Sequence, residues 1–477
     1  MTKIRTRFAP SPTGFLHVGG VRTALFAWLI ARQNNGSFIL RIEDTDKSRH
    51  VQEAEEHIIK SLGALGLNPD EGPEIGGEFG PYQQSQRLDI YKRYAQKLIE
   101  KGLAYVDPYT PEELDSFRNQ AKEQKKPFKF KDHRPPENEW QEWDGTKPLR
   151  FKSEAKPYQY VDMVYGEITP DASATDDFVL IKSDGYPTYN FAHIVDDNEM
   201  QVSHIIRGQE FLASMANYLN LYEALGINPP QIATVPHIMN EHGNKKLSKR
   251  DGAKDVLDYL KEGYLPDAMV SFIATLGWND GTTQEIFTRD ELVDKFDLGR
   301  VQKGGAHFDE KRLTWINGQF IRQLNIDQLA ELSESYWPEA AKDASPEYKK
   351  SILKIVQERL KYLAELPGLT EFFFKDLPVN SDLISSHKQL SKIDKPKLKT
   401  LLETTLQKLE SCDFDEDTLS SCLNELLDET KQKPVILFSL IRIATTQAPF
   451  SPGLAETMAV LGKDRSLNRI KKQIASL

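Results

Sequence analysis

The sequence predicts a multidomain protein: an α/β domain built on a parallel sheet, followed by an all-α region. Three observations carry this. Strand and helix patterns alternate over the first hundred residues, as crossover units of a parallel sheet require. Near residue 105 the pattern changes to short strand-like pieces rich in proline, lysine and aromatics, and the alternation resumes at "DFVLIKSDGYPTYNFAHIVDD". From about residue 325 the chain is almost entirely helical and charged, without heptads long enough for a coiled coil. At ~150 residues per domain, 477 residues suit about three domains.

The first strand, "KIRTRFA", runs into "PSPTGFLHVGG". Pro10 and Pro12 fix φ and keep the strand from passing straight into a helix. Gly14 permits a tight reversal. Gly19 and Gly20 clear side chains from the start of a helix over residues 21–33, in which Ala24, Leu25, Trp28, Leu29 and Arg32 recur at helical spacing. A helix N-terminus offers N–H groups and partial positive charge to an anion, and His17 stands just before it. Taken alone, the turn is equally a nucleotide cradle and a glycine-rich turn whose histidine caps the helix. It is neither a Walker loop nor a dinucleotide fingerprint.

"SFILRIED" is the second strand, and "EAEEHIIKSLGALG" a helix stopped by glycine and "NPDEGP". Parallel sheets bind ligands at the carboxyl ends of their strands, where the glycine-rich turn and the acids of "RIEDTD" both fall. Residues 86–102 form a further amphipathic helix ended by Gly102. Residues 105–178, with "LRFK" and "YQYVDMVYGEI", read as an inserted α+β subdomain. "VSHIIRG" and "LASMANYLNLYEALG" continue the α/β pattern. "NKKLSKRDG" (244–252) sets four basic residues and a serine between asparagine and glycine, a mobile loop suited to neutralising a leaving group.

Composition bounds the rest. The chain is 39% hydrophobic and 28% charged, ordinary for a folded protein. No apolar run approaches the ~18 residues a membrane span needs, and the N-terminus has no apolar signal core, so a cytoplasmic protein without a membrane partner is expected. Cys412 and Cys422 form no Cys-x-x-Cys pair and the ten histidines no metal motif, so no structural or catalytic transition metal is expected. The net charge of −10 leaves room for local basic faces at 118–134, 244–254 and 387–399.

"PSPTGFLHVGG" resembles the first signature of class I aminoacyl-tRNA synthetases in its glutamyl form, and "KLSKR" the second signature loop. "RFAPSPTG", "LRIEDTD", "GPYQQSQR", "SDGYPTYNFAHIVDD", "HIIRG" and "KKLSKRDGA" follow in that family's order and approximate spacing. The resemblance to the bacterial-type glutamyl-tRNA synthetase family covers at least residues 4–320, and the remainder has the length and character of its anticodon-binding region. It implies a Rossmann-type catalytic domain in two halves, 1–104 and 179–243, around an acceptor-stem-binding subdomain at 105–178. A signature-loop and stem-contact domain at 244–325 and a helical anticodon-binding region at 326–477 would follow.

The same resemblance implies activation of L-glutamate by ATP to glutamyl-adenylate, then transfer to the 3′-terminal adenosine of tRNA(Glu), by a monomer using Mg²⁺ with the nucleotide. His17, Lys246 and Lys249 would be catalytic. ATP would lie on His17, Gly19, Gly20, Leu247, Ser248 and Lys249. Glutamate would be held by Arg7, Ser11, Glu43, Tyr189 and Arg207, and by Ala9 through its backbone. Glu43 is assigned the α-ammonium and Arg7 and Arg207 the carboxylates, the resemblance leaving open which of the two arginines takes the side-chain carboxylate, with Arg7 the first choice. Arg359 matches an arginine near the anticodon.

Two departures stand out. "AYVDPYT" has Asp107 and Tyr109 where some members carry zinc-binding cysteines, so no zinc is expected. Met215 and Ala216 replace a Thr-Pro pair, which bears on helix entry and a tRNA contact rather than on activation. Alternatives are an enzyme that also glutamylates tRNA(Gln), a glutaminyl enzyme, and the shorter tRNA-modifying paralogue. More distant ones are a small-molecule nucleotidyltransferase, which would not need the insert or the helical region, and an inactive RNA-binding protein, against which His17, Lys246 and Lys249 speak.

Overall fold

The computed structural model describes residues 3–49, 51–247, 254–448 and 450–477. The chain divides into two compact units, Met1–Tyr259 with Met269–Glu310, and Leu260–Ala268 with Lys311–Leu477.

In the first unit, β1 (Arg5–Phe8) pairs parallel with β2 (Ser37–Leu40). Both are buried along their whole length, as strands covered on two faces must be. The helix Val18–Gln33 crosses between them, buried from Val21 to Ala31 on nearly every side, and the Thr6 hydroxyl donates to the Ala27 carbonyl at 2.7 Å. This helix starts three residues before the expected 21, because Gly19 and Gly20 lie inside its first turn under a histidine cap.

The insert builds a small antiparallel sheet from β3 (Ala104–Val106), β4 (Leu149–Phe151) and, beyond the expected boundary, β7 (Val179–Ile181). Conversely, β5 (Tyr160–Asp162) and β6 (Gly166–Ile168) leave it and form the edge of the main sheet. Asp162 makes that connection: its buried carboxylate accepts from the N–H groups of Val164, Tyr165 and Thr234. A strand's own residues do not announce its partner, which is why "YQYVDMVYGEI" reads as part of the insert.

With β8 (His204–Gly208) and β9 (Gln231–Val235), the main sheet runs β2-β1-β8-β9-β5-β6, parallel except for β6. The helix Tyr189–Glu199 packs on it with His193, Asp196 and Asp197 buried. The second unit is helical. Its main core gathers leucines and isoleucines from Lys395–Glu410, Glu416–Thr430, Pro434–Thr446 and Lys463–Ser476, with buried Cys412 and half-buried Cys422 both as thiols. Among the described residues no helix is long and apolar enough to cross a membrane.

Candidate active site

His17 Nδ1 accepts from the N–H groups of Gly19 at 3.1 Å and Gly20 at 3.3 Å, capping the helix Val18–Gln33. A Cβ at Gly19 would lie 3.0 Å from that ring, so a larger residue there would press on the cap. With Nδ1 accepting, the proton of a neutral ring sits on Nε2. The cap and a donor to an anion are therefore compatible roles of one side chain.

This corner opens on a cleft of about 570 Å³ walled by Ser11, His17, Gly19, Gly20, Glu210 and Lys246, among others. Lys246 Nζ lies 3.7 Å from Glu210 Oε1, and Glu210 Oε2 lies 3.7 Å from His237 Nδ1. Burial, then the Lys246 charge, pushes His237 below the usual histidine range. Arg22 is buried in the cleft wall and donates to the carbonyls of Leu276 and Pro236, and burial lowers its pKa to about 10. Leu247 is half-buried, its N–H tied to the Ile238 carbonyl at 2.8 Å. Ser248 and Lys249 lie outside the described residues.

A second cluster adjoins the cleft where β1 and β8 end: Arg7 precedes Phe8, and Arg207 precedes Gly208, both cleft residues. Arg41 is its fully buried hub, donating to Glu43 at 2.9 Å and to Asp197 at 2.8 Å. The β1–β2 ladder continues past Ala9, with Arg41 N–H bonded to Phe8 and Glu43 N–H to Pro10, which delivers Glu43 to this spot. Arg7 spends Nε and Nη2 on Asp197, at 3.2 and 3.4 Å, and Nη1 on the Ile206 carbonyl. Arg87 closes the network on Asp196 at 2.7 Å.

Arg7, Arg41, Arg87 and Arg207 thus share this buried region with Glu43, Asp196 and Asp197, leaving one positive charge in excess. The buried atoms that lack partners among the described residues include Glu43 Oε2, His193 Nε2, and Nε and Nη2 of Arg207. Burial raises the Glu43 carboxyl despite Arg41 and Arg7. Burial, then Arg207, holds His193 well below the usual range and hence neutral, with its Nδ1 on the Tyr189 carbonyl at 2.8 Å. The Tyr189 ring stacks between His193 and Phe211, at 4.8 and 5.4 Å.

An unpartnered buried polar atom costs about 1–3 kcal/mol, so the cluster suits a ligand bearing both a cation and anions. Glu43 Oε2 calls for an N–H donor. The Nε–Nη2 edge of Arg207 is a ready fork for a carboxylate.

The structure therefore gathers Ser11, His17, Gly19, Gly20 and Lys246 around one cleft, and Arg7, Glu43, Tyr189 and Arg207 in the adjoining cluster, with half-buried Ala9 on the connection between them. Sequence reasoning missed Arg41, His193 and Asp197. The available signals were Arg41 two residues before Glu43 on one strand face, and His193 and Asp197 at helical spacing from Tyr189. The Met215 departure also bears on this site: its sulfur lies 3.7 Å from Arg207 Nη1, behind the open fork. Arg359 is exposed on the turn Gln357–Arg359 of the second unit, within electrostatic reach of Arg442.

Comparison with known proteins gives a consistent picture. Residues 3–315 match the family model described as tRNA synthetases class I (E and Q), catalytic domain, and residues 328–474 match an anticodon binding domain. The chain is 42% identical to a glutamate–tRNA ligase of Clostridium tetani, covering 100% of this chain and 98% of the relative. It is 40% identical to that of Clostridium kluyveri, covering 100% and 99%. The crystal structure of a glutamate tRNA ligase from Elizabethkingia meningosepticum, in complex with its amino acid, superposes with a TM-score of 0.89 at 32% identity, covering 100% of both chains.

Proposed function

The chain belongs to the class I tRNA synthetases of the glutamate and glutamine type, and from that premise we propose how its residues carry out the glutamate–tRNA ligase reaction. ATP occupies the cleft. Glycine at 19 and 20 lets it approach the backbone, and His17 donates from Nε2 toward its phosphates. Lys246 leaves its weak pairing with Glu210 for the same phosphates, and Ser248 and Lys249 extend that grip from the basic loop. Mg²⁺ comes with the nucleotide as its counter-ion.

A glutamate α-carboxylate oxygen attacks the α-phosphorus, and the bond from that phosphorus to the bridging oxygen breaks. Pyrophosphate leaves with the electron pair, its charge met by the lysines. No protein nucleophile is needed, because alignment and charge stabilisation supply the catalysis. A ribose hydroxyl oxygen of the 3′-terminal adenosine then attacks the acyl carbon, the bond from that carbon to the adenylate phosphate oxygen breaks, and AMP leaves with the electron pair while its phosphate takes up the hydroxyl proton. The insert holds the acceptor end of the tRNA and the helical region, with Arg359, the anticodon. Asp107 pairs with Arg150 at 2.7 Å, and Tyr109 packs against Phe117 and Phe130, contacts that hold this part of the insert together.

The charge count carries the glutamate reading. Glutamate has one ammonium and two carboxylates, a net charge of −1 that balances the buried surplus. The ammonium meets Glu43 Oε2, the open fork of Arg207 takes one carboxylate, and the remaining hydrogens of Arg7 take the other. Tyr189 walls the pocket, and Ser11 and the Ala9 backbone face the reacting end. Zwitterionic glutamine is neutral, so it would leave the surplus buried and turn an amide NH₂ toward arginine donors.

ATP–pyrophosphate exchange tests this directly. Exchange with glutamate in the presence of tRNA is expected, with glutamine roughly 10⁴-fold less efficient because a hydrogen-bonding site rejects the wrong polar group strongly. No exchange with glutamate, with or without tRNA, would sink the reading.

A further inference from the structure

Helix Gln52–Ala64 carries His57, which none of the roles above uses. Its Nδ1 accepts from the Leu16 N–H at 3.3 Å, and its Nε2 lies 2.6 Å from Asp255 Oδ2. Its ring stacks on Phe15 at 4.5 Å. Phe15 and Leu16 immediately precede His17, and all three line the nucleotide cleft, as does Ile58 beside His57.

On the other side, Asp255 is the first residue after the basic stretch 244–254. Its Oδ1 accepts from Leu257 N–H at 2.8 Å, at the start of helix Val256–Lys261, and its backbone bridges to that of His17. His57 therefore touches both the cradle turn and the residue that follows the basic stretch in sequence. The helix is also tied to the turn by Val51 N–H on the Pro12 carbonyl, so His57 stands on an anchored base.

An imidazole that accepts on Nδ1 and donates from Nε2 is bifunctional, and each contact fixes the tautomer that the other needs. A side chain of equal bulk without both functions would leave the Leu16 N–H and the Asp255 carboxylate to find separate partners.

We propose that His57 is a positioning residue for adenylate formation, a clasp that holds the cradle turn in register with the C-terminal foot of the basic loop, and so sets ATP affinity without touching substrate. The proposal rests on ATP occupying the 570 Å³ cleft. It distinguishes His57 from a residue that merely stabilises the fold, because glutamate is held by a different cluster and is not reached by the clasp.

The test is tRNA-supported pyrophosphate exchange on the full chain, with KM for ATP and for glutamate measured separately, and melting temperature as a fold check. His57→Leu keeps bulk and loses both hydrogen bonds. His57→Gln retains an acceptor and a donor at similar separation. With contacts to charged groups worth about 1.5–3 kcal/mol, His57→Leu should raise the KM for ATP roughly tenfold or more while the KM for glutamate stays within about twofold. His57→Gln should recover most of the loss.

Equal changes in both KM values, no change in either, or a Gln variant no better than Leu would overturn the clasp. If His57→Leu fails to fold, the comparison of His57→Gln with Asp255→Ala decides: the clasp requires Asp255→Ala to raise the KM for ATP selectively while His57→Gln stays near the parent. His17→Ala separates the premise from the inference: if it too leaves the KM for ATP unchanged, the cleft reading falls; if it alone raises that KM, only the clasp falls.

Discussion

Arg7 and Arg207 are both buried arginines at adjacent strand ends, yet their surroundings give them different duties. Arg7 braces Asp197 with one edge of its guanidinium and has only leftover hydrogens to offer a ligand. Arg207 has Nε and Nη2 unpartnered, its charge faced by the rings of Phe211 and Tyr218 at 5.0 and 5.1 Å. Arg207→Gln should therefore lower kcat/KM for glutamate by roughly 10²-fold or more, the loss of a bidentate charge-assisted pair, while removing the unbalanced buried charge. Its melting temperature should hold or rise. Arg7→Gln should weaken glutamate use and also lower the melting temperature, because Asp197 keeps only Arg41 as a close cation. Pyrophosphate exchange beside thermal melts separates the cases. Unchanged glutamate affinity in Arg7→Gln would assign both carboxylates to Arg207, and a destabilised Arg207→Gln with normal glutamate use would remove Arg207 from the pocket.

At the scale of elements, the helix Tyr189–Glu199 carries one wall of the site and two of its three acids. Burial alone would push the Asp197 carboxyl up, but the nearby charges of Arg7 and Arg41 outweigh it and hold the group well below the usual aspartate range. A depressed native pKa stabilises the fold above the unfolded value of about 3.9, and that stability is lost as pH falls through and below it. Asp197→Asn should cost about 3–5 kcal/mol at neutral pH, since it strips a partner from two buried arginines, and should flatten the acid limb of the stability curve. Urea unfolding at neutral pH and near pH 3 measures both; a variant as stable as the parent at neutral pH would show that the arginines find other partners. The sequence is explicit about the glycine turn and the helix that follows it, because period and capping are local. It is silent on the pairing of β5 with β9, which depends on Asp162 reaching Thr234 across seventy-odd residues. For the same reason Arg7 and Glu43 could be nominated from motifs, whereas the charge surplus emerges only when the five segments carrying Arg7, Arg41 with Glu43, Arg87, Asp196 with Asp197, and Arg207 converge.

At the scale of the whole molecule, a chain of net charge −10 must engage a polyanion through local faces. Two are exposed on separate elements. Lys122, Lys125 and Lys126 end the insert helix Pro111–Glu123 and its following turn, and Lys388, Lys392, Lys395, Lys397 and Lys399 crowd the stretch that enters Lys395–Glu410. Binding a phosphate releases counter-ions, so each phosphate engaged adds to the salt dependence of binding, while a buried pocket is shielded from mobile ions. The KM for tRNA should therefore rise steeply and log-linearly with salt, whereas the KM for glutamate at saturating tRNA should move less than about twofold over the same range. Replacing Lys122, Lys125 and Lys126 together by Gln should shallow the tRNA slope by roughly one unit for every phosphate that these lysines neutralise, and leave kcat at saturating tRNA unchanged. Aminoacylation kinetics across a salt series reads every one of these quantities. An unchanged slope would take the insert's lysines out of the RNA interface and shift the electrostatic contact to the 387–399 face. A glutamate KM as salt-sensitive as that of tRNA would contradict the buried, charge-balanced pocket itself, because screening at moderate ionic strength acts on exposed charges and leaves a desolvated ion cluster largely untouched.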